Sequence, residues 1–150
     1  MVPDLHIQVA RIGPVDVPLP RYQTPGSAGM DLHAALVEPL TVGPLGRARV
    51  PTGLIFAIPA SFEGQVRPRS GLAWRTGLTV LNAPGTVDSD YRGEVQVLVV
   101  NLSQSPVTIA PLERIAQLVI TPVAKAELVL VVDHEPTSRG AGGLGSTGRT

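Results

Sequence analysis

EVQVLVV (residues 94–100) and RIAQLVITPV (residues 114–123) are the two stretches on which the fold turns. Both are runs of valine, leucine and isoleucine, rich in β-branched residues and bounded by turn formers, which is how a buried strand reads. Outward from them, shorter runs of the same kind recur: HIQVA (6–10), RARV (47–50), GLIFAI (53–58), QVRP (65–68), TVL (79–81), VTIA (107–110) and ELVLVV (127–132). Turn clusters separate them at Pro18–Pro20, Thr24–Ser27, Ile58–Ala60 and Asn82–Gly85. About nine short strands at this spacing predict an all-β sandwich, jelly roll or barrel. The one candidate helix, SGLAWRTG (Ser70–Gly77), is bounded by glycines and too short for more than two turns.

The composition agrees. At 150 residues and 15.7 kDa the chain is one domain, able to bury roughly 70% of the surface its unfolded form exposes. Hydrophobic residues make up 43% but aromatic ones only 3%, so the core is aliphatic. Sixteen glycines and fifteen prolines spread along the chain interrupt helices, and the absence of a G-x-y period excludes collagen. A formal net charge of +0 supplies no global field for duplex nucleic acid or an anionic membrane. Any phosphate recognition is therefore local, and eleven of the twelve cations are arginine, the better bidentate partner for phosphate; Lys125 is the only lysine. With no cysteine and only His6, His33 and His134, widely spaced, the chain offers no thiol nucleophile and no metal-ligand spacing. MVPDLHIQVAR at the start lacks a signal-peptide core, and no apolar run approaches the ~18 residues of a membrane span, so a soluble intracellular (cytoplasmic) protein is expected.

Four segments carry candidate chemistry. The last twelve residues, RGAGGLGSTGRT (139–150), contain five glycines and cannot build a core; alone they read as a disordered tail. Their formal G-x-G-x-x-G has no βαβ unit around it and no Walker lysine, leaving a glycine string whose amides, Arg139, Ser146 and Thr147 suit a polyphosphate. RPRSGLAWR (67–75) places arginine and a serine hydroxyl before a short turn, either an oxyanion seat or merely an arginine-rich strand end. In NAPGTVDSDYRGE (82–94), Asp88 and Asp90 flank one residue, and in an extended stretch both would share a face. Gln117 interrupts the apolar strand RIAQLVI and needs hydrogen-bond partners, from the core or from a ligand.

Together these segments resemble the trimeric dUTPases, the deoxyuridine triphosphate nucleotidohydrolases. Five motifs occur in that family's order: AGMDLHA (28–34), PRSGLA (68–73), NAPGTVDSDYRGE, RIAQL (114–118) and RGAGGLGSTG (139–148). The resemblance implies a jelly-roll-like β-barrel over residues 1–138 and a C-terminal glycine-rich arm, 139–150, that closes a neighbouring subunit's site in a homotrimer. The implied reaction is dUTP to dUMP and pyrophosphate by water attack at the α-phosphorus, keeping uracil out of DNA and supplying dUMP for thymidylate synthesis. Asp88 corresponds to the carboxylate that activates the water, Gln117 to a polar group beside the α-phosphate, and Asp31 to a site-organising carboxylate. Arg69, Ser70 and Gly71 match phosphate ligands. Asn82, Gly85, Val87 and Tyr91 match the base and sugar pocket, with Tyr91 against deoxyribose. Arg139, Leu144, Gly145, Ser146 and Thr147 match the arm. Mg2+ is implied, carried by substrate phosphates and water with no protein cage.

Leu144 stands where the family commonly has a phenylalanine, so a smaller apolar lid is expected; Trp74 and Arg75 replace a small residue and a lysine. The nearest rival is dCTP deaminase, which shares the fold and needs a glutamate on the strand after the third motif. VQVLVVN (95–101) has none, and Glu94 belongs to RGE. A scaffold without catalysis would have no need of Asp88, Gln117 and the arm together.

Overall fold

A computed structural model of the chain describes residues 5–143. Eleven strands and one short helix occur among them: β1 Gln8–Arg11, β2 Met30–His33, β3 Leu40–Val42, β4 Arg47–Pro51, β5 Leu54–Ala57, β6 Phe62–Pro68, α1 Ser70–Thr76, β7 Leu78–Val80, β8 Gly85–Val87, β9 Gln96–Asn101, β10 Val107–Ile109 and β11 Arg114–Pro122. All pairings are antiparallel. They form a four-stranded sheet β2-β11-β6-β8, a three-stranded sheet β4-β9-β7, and the pairs β1-β5 and β10-β3. The expected all-β architecture is present, as separate sheets around one core; among the described residues no continuous ladder closes them into a barrel.

Alternation explains the packing. In β9, Val97, Val99 and Asn101 are buried while Gln96, Leu98 and Val100 face the other way. Ile115, Ala116 and Leu118 of β11 meet them from the larger sheet in a core of Leu32, Val50, Leu54, Phe56, Ile58, Leu78 and Ile109. Each such side chain contributes about 1.5–3 kcal/mol on full burial. Gly64 in β6 is set by that packing: a Cβ there would lie 2.9 Å from Ile58 Cδ1 and 3.0 Å from Leu118 Cδ1. The helix expected at 70–77 is α1, stopped by Gly77 in the left-handed region (φ 75°).

Two expectations are corrected. ELVLVV (127–132), strand-like by pattern, forms no strand: Leu128, Leu130 and Val132 are 93%, 99% and 107% exposed. The physical reason is the lack of a partner, since a strand needs an adjacent ladder to satisfy its backbone, and none of the described strands pairs with it. Asp88 and Asp90 do not alternate along a strand either. β8 ends at Val87, and the chain turns at once, with Tyr91 N–H donating to Asp88 O at 3.2 Å.

No helix among the described residues is long and apolar enough to cross a membrane.

Candidate active site

The larger sheet assembles the first cluster. β2 and β11 pair so that Asp31 lies opposite Gln117, and β11 and β6 pair Gln117 with Arg67 and Ala116 with Pro68, which delivers Arg69 to the same sheet end. Asp31 is 3% exposed, yet its carboxylate is fully engaged. Oδ1 accepts from Arg69 Nε at 3.2 Å and from Gln117 Nε2 at 3.4 Å, and Oδ2 accepts from Arg114 Nη1 at 3.0 Å. Arg69 Nη1 also donates to the Arg114 carbonyl at 3.1 Å. A buried carboxylate needs such partners, and two guanidiniums around one carboxylate leave a local positive charge at an otherwise neutral molecule's surface. Gln117, flagged as an amide in an apolar strand, therefore has Asp31 as its partner. The glycine of AGMDLHA has a local reason too: a Cβ on Gly29 would stand 3.2 Å from Gln117 Cβ.

Arg69 is the N-cap of α1 and makes no side-chain cap hydrogen bond, so Ser70 and Gly71, both exposed, begin the helix without a side-chain acceptor at their amides. Beside Asp31, burial pushes the His33 imidazole below its ordinary pKa; the Asp31 charge opposes this, while Arg114, Arg69 and Arg21 reinforce it. His33 Nδ1 is buried without a hydrogen-bond partner.

The second element is a cavity of about 220 Å³ lined by Asn82, Gly85, Val87, Asp88 and Tyr91, with Val66, Thr86, Glu94, Val95, Gln96 and Leu98. Gly85 admits the Asn82 amide: a Cβ would lie 3.1 Å from Asn82 Nδ2. Tyr91 is tied down through its hydroxyl, which donates to the Glu94 carbonyl at 3.0 Å. The Asp88 carboxylate is exposed and accepts no hydrogen bond from the described residues. It also borders a neighbouring cavity with Glu63, Asp90 and Lys125, so the turn brings Asp88 and Asp90 to one space where strand alternation does not.

Arg69, Ser70, Gly71, Asp31 and Gln117 are absent from the cavity lining. Arg139 is exposed and donates to Gly142 O at 2.8 Å within its own segment. Leu144, Gly145, Ser146 and Thr147 lie outside the described residues.

Sequence reasoning missed Arg114, which touches Asp31 with its side chain and Arg69 with its carbonyl. Its signal was its place at the head of RIAQL, but the contact depends on strand register. It also passed over Glu94, whose carboxylate accepts from the Gly53 amide at 2.8 Å. Among the described residues no three His, Asp or Glu side chains group to hold a metal ion.

The dUTPase family model matches residues 16–148. The deoxyuridine 5'-triphosphate nucleotidohydrolase of Anaeromyxobacter sp. (strain Fw109-5) is 59% identical over 145 residues, covering 95% of this chain and 97% of that protein. The protein of the same name from Aquifex aeolicus (strain VF5) is 61% identical over 133 residues, 89% of each. Among solved structures, Staphylococcus bacteriophage 80alpha dUTPase with dUPNHPP superposes with a TM-score of 0.82 at 25% identity, covering 95% of this chain and 98% of that one. The matched span contains both the Asp31 cluster and the Asn82–Tyr91 cavity, and on these grounds the chain belongs to the dUTPase family.

Proposed function

We propose that the chain hydrolyses dUTP to dUMP and pyrophosphate at a site whose phosphate side is the Asp31 cluster and whose base and sugar side is the Asn82–Tyr91 cavity. Membership of the dUTPase family makes it a dUTP diphosphatase; the proposal concerns how its residues do this. The observation that carries it is the cavity with Asp88 in its lining, exposed and free to meet a water.

Asp88 orients the water and takes its proton as that oxygen attacks the α-phosphorus in line; the bond to the bridging oxygen breaks and pyrophosphate leaves with that electron pair. A positioned general base supplies about 10² to 10⁴ in rate. Gln117 spends its amide N–H on Asp31, which leaves its carbonyl oxygen for the water or an α-phosphate partner. Arg69, Ser70 and Gly71 bind phosphate oxygens, and Asp31 with Arg114 holds the Arg69 guanidinium. Asn82 and neighbouring backbone read uracil beside Gly85 and Val87, and Tyr91 lies against deoxyribose. Both Asp31 oxygens are occupied by nitrogen donors, which fits a Mg2+ that would be held by substrate phosphates and water and would supply neutralisation of the triphosphate charge. Removing dUTP in a soluble cytoplasmic setting would keep uracil out of DNA, and dUMP would feed thymidylate synthesis.

Because the phosphate cluster and the base cavity share no lining in one chain, we read the working enzyme as a closed homotrimer whose sites join parts of different subunits. Residues 1–138 form the jelly-roll-like all-β domain. Residues 139–150 form the arm, with Arg139, Leu144, Gly145, Ser146 and Thr147 closing a neighbour's site over the outer phosphates. Deamination of dCTP fits less well, since the Glu94 carboxylate is committed to the Gly53 amide. Hydrolysis in 18O-water tests the step: label in dUMP supports attack at the α-phosphorus, and label in pyrophosphate contradicts it.

A further inference from the structure

Tyr91 is 45% exposed, so surrounding bulk does not fix its ring. Two neighbours do. The ring lies across Gly93 so closely that a Cβ there would stand 2.5 Å from Tyr91 Cζ and 2.9 Å from Cε2, with the hydroxyl nearer still. Every atom met is at the far end of one side chain, so a larger residue at 93 moves the ring and leaves the backbone alone. The hydroxyl, in turn, is held by the Glu94 carbonyl at 3.0 Å.

That carbonyl is itself anchored from another part of the chain. The turn between β4 and β5 puts Gly53 at φ 66°, and its amide donates to Glu94 Oε1 at 2.8 Å. Beside it, Val95 N–H donates to Leu54 O at 2.9 Å, and the fully buried Thr52 hydroxyl donates to Val95 O at 2.6 Å. Residues 52–54 thus staple Glu94 and Val95, and Glu94 holds Tyr91.

We propose that Gly93 and Glu94 are positioning residues for sugar selection: Gly93 leaves the space in which the Tyr91 ring lies, and Glu94 fixes the carbonyl that pins it, so the ring stands where a ribonucleotide's 2′-hydroxyl would go. This rests on the reading above that Tyr91 meets deoxyribose. Gly93 is absent from the cavity lining and Glu94 borders it, and both act here by holding Tyr91, so their loss changes selectivity between dUTP and UTP more than it changes the chemistry.

The test is the ratio of kcat/KM for dUTP to that for UTP, with dCTP in parallel, on the full chain. Gly93→Ala lowers the dUTP:UTP ratio at least about tenfold, mainly through a lower KM for UTP, while the dUTP:dCTP ratio holds. Glu94→Ala lowers it less, and Glu94→Gln, which keeps an oxygen for the Gly53 amide, restores most of it. A Gly93→Ala enzyme that hydrolyses dUTP with its dUTP:UTP ratio within about twofold of the unaltered chain overturns the proposal, as does equal erosion of both ratios, the mark of a loosened loop. If circular dichroism shows Gly93→Ala unfolded, Tyr91→Phe decides. It leaves Gly93 in place and unties the hydroxyl, so the ratio falls by about threefold for one lost hydrogen bond, and an unchanged ratio overturns the proposal. An unaltered chain that does not prefer dUTP to UTP overturns instead the placement of Tyr91 against the sugar, and the proposal with it.

Discussion

Asp31→Asn removes the one negative charge shared by Arg69 and Arg114. The carboxylate is 3% exposed and accepts from three donors at 3.0, 3.2 and 3.4 Å. Asparagine offers a single oxygen, and its amide nitrogen, turned to either guanidinium, sets donor against donor. Breaking a buried ion pair from one side costs about 3–5 kcal/mol. Here the Arg69 and Arg114 side chains keep 25% and 47% exposure, so water rehydrates the freed guanidiniums and the low end, about 3 kcal/mol, is expected. At about 2–4 °C per kcal/mol for a domain of this size, Tm falls by about 6–12 °C. Thermal denaturation by circular dichroism at one fixed protein concentration measures it, because any association of chains would make Tm depend on concentration. In the double-mutant cycle with Arg114→Gln, the second change costs at least about 1 kcal/mol less once Asp31 is gone. An Asp31→Asn protein melting within about 2 °C of the unaltered chain, or strictly additive variants, would refute the shared-carboxylate reasoning.

Asn101 is fully buried in β9 and uses all four hydrogen-bonding positions, donating to Val42 O and Ser105 O and accepting from the Ser103 amide and hydroxyl. Asn101→Ala is expected to cost about 3–4 kcal/mol, at about 1 kcal/mol per bond, and an urea titration should show the midpoint fall in proportion. His33 binds a proton less readily folded than unfolded, so its contribution is intact above its ordinary value of 6.5 and is lost as pH falls through 6.5 towards the lower folded pKa. Tm followed on acidification through that window should drop less steeply in His33→Gln; parallel slopes would exclude His33 as the source. Site sharing predicts that Asp88→Asn and Arg69→Ala chains, each strongly slowed alone, regain activity when denatured and refolded together, with roughly one site in four complete in random trimers. No recovery, with both variants still trimeric by light scattering, would place each site within one chain.

Continuous runs of β-branched residues wrote β9 and β11 into the sequence because such a run needs only neighbouring residues to be read. Gly77 marked the end of α1 for the same reason. β2, β3 and β8 are three- or four-residue strands that exist because β11, β10 and β6 pair with them, and AGMDLHA and LTV carry too little pattern to announce it. ELVLVV shows the converse, with the pattern present and no partner strand among the described residues. The site divides likewise. Asp31, Arg69 and Gln117 were legible as residue types in motifs, but their meeting is a matter of register between strands 86 residues apart, and Arg114 gains its place from an irregularity in the β11–β2 ladder between Arg114 and Ala116. Glu94 read as one letter of RGE, and only the folded turn at Gly53 gives it work.

The most direct measurement is product analysis on dUTP, dCTP, dTTP and UTP in magnesium buffer, with Asp88→Asn beside the unaltered chain. Expected is dUMP with pyrophosphate from dUTP in clear preference to the others, and a variant slowed by about 10² or more for a lost general base. Ammonia from dCTP, no turnover of dUTP, or an Asp88→Asn chain as fast as the unaltered one would contradict the assignment of Asp88 and the reaction built on it.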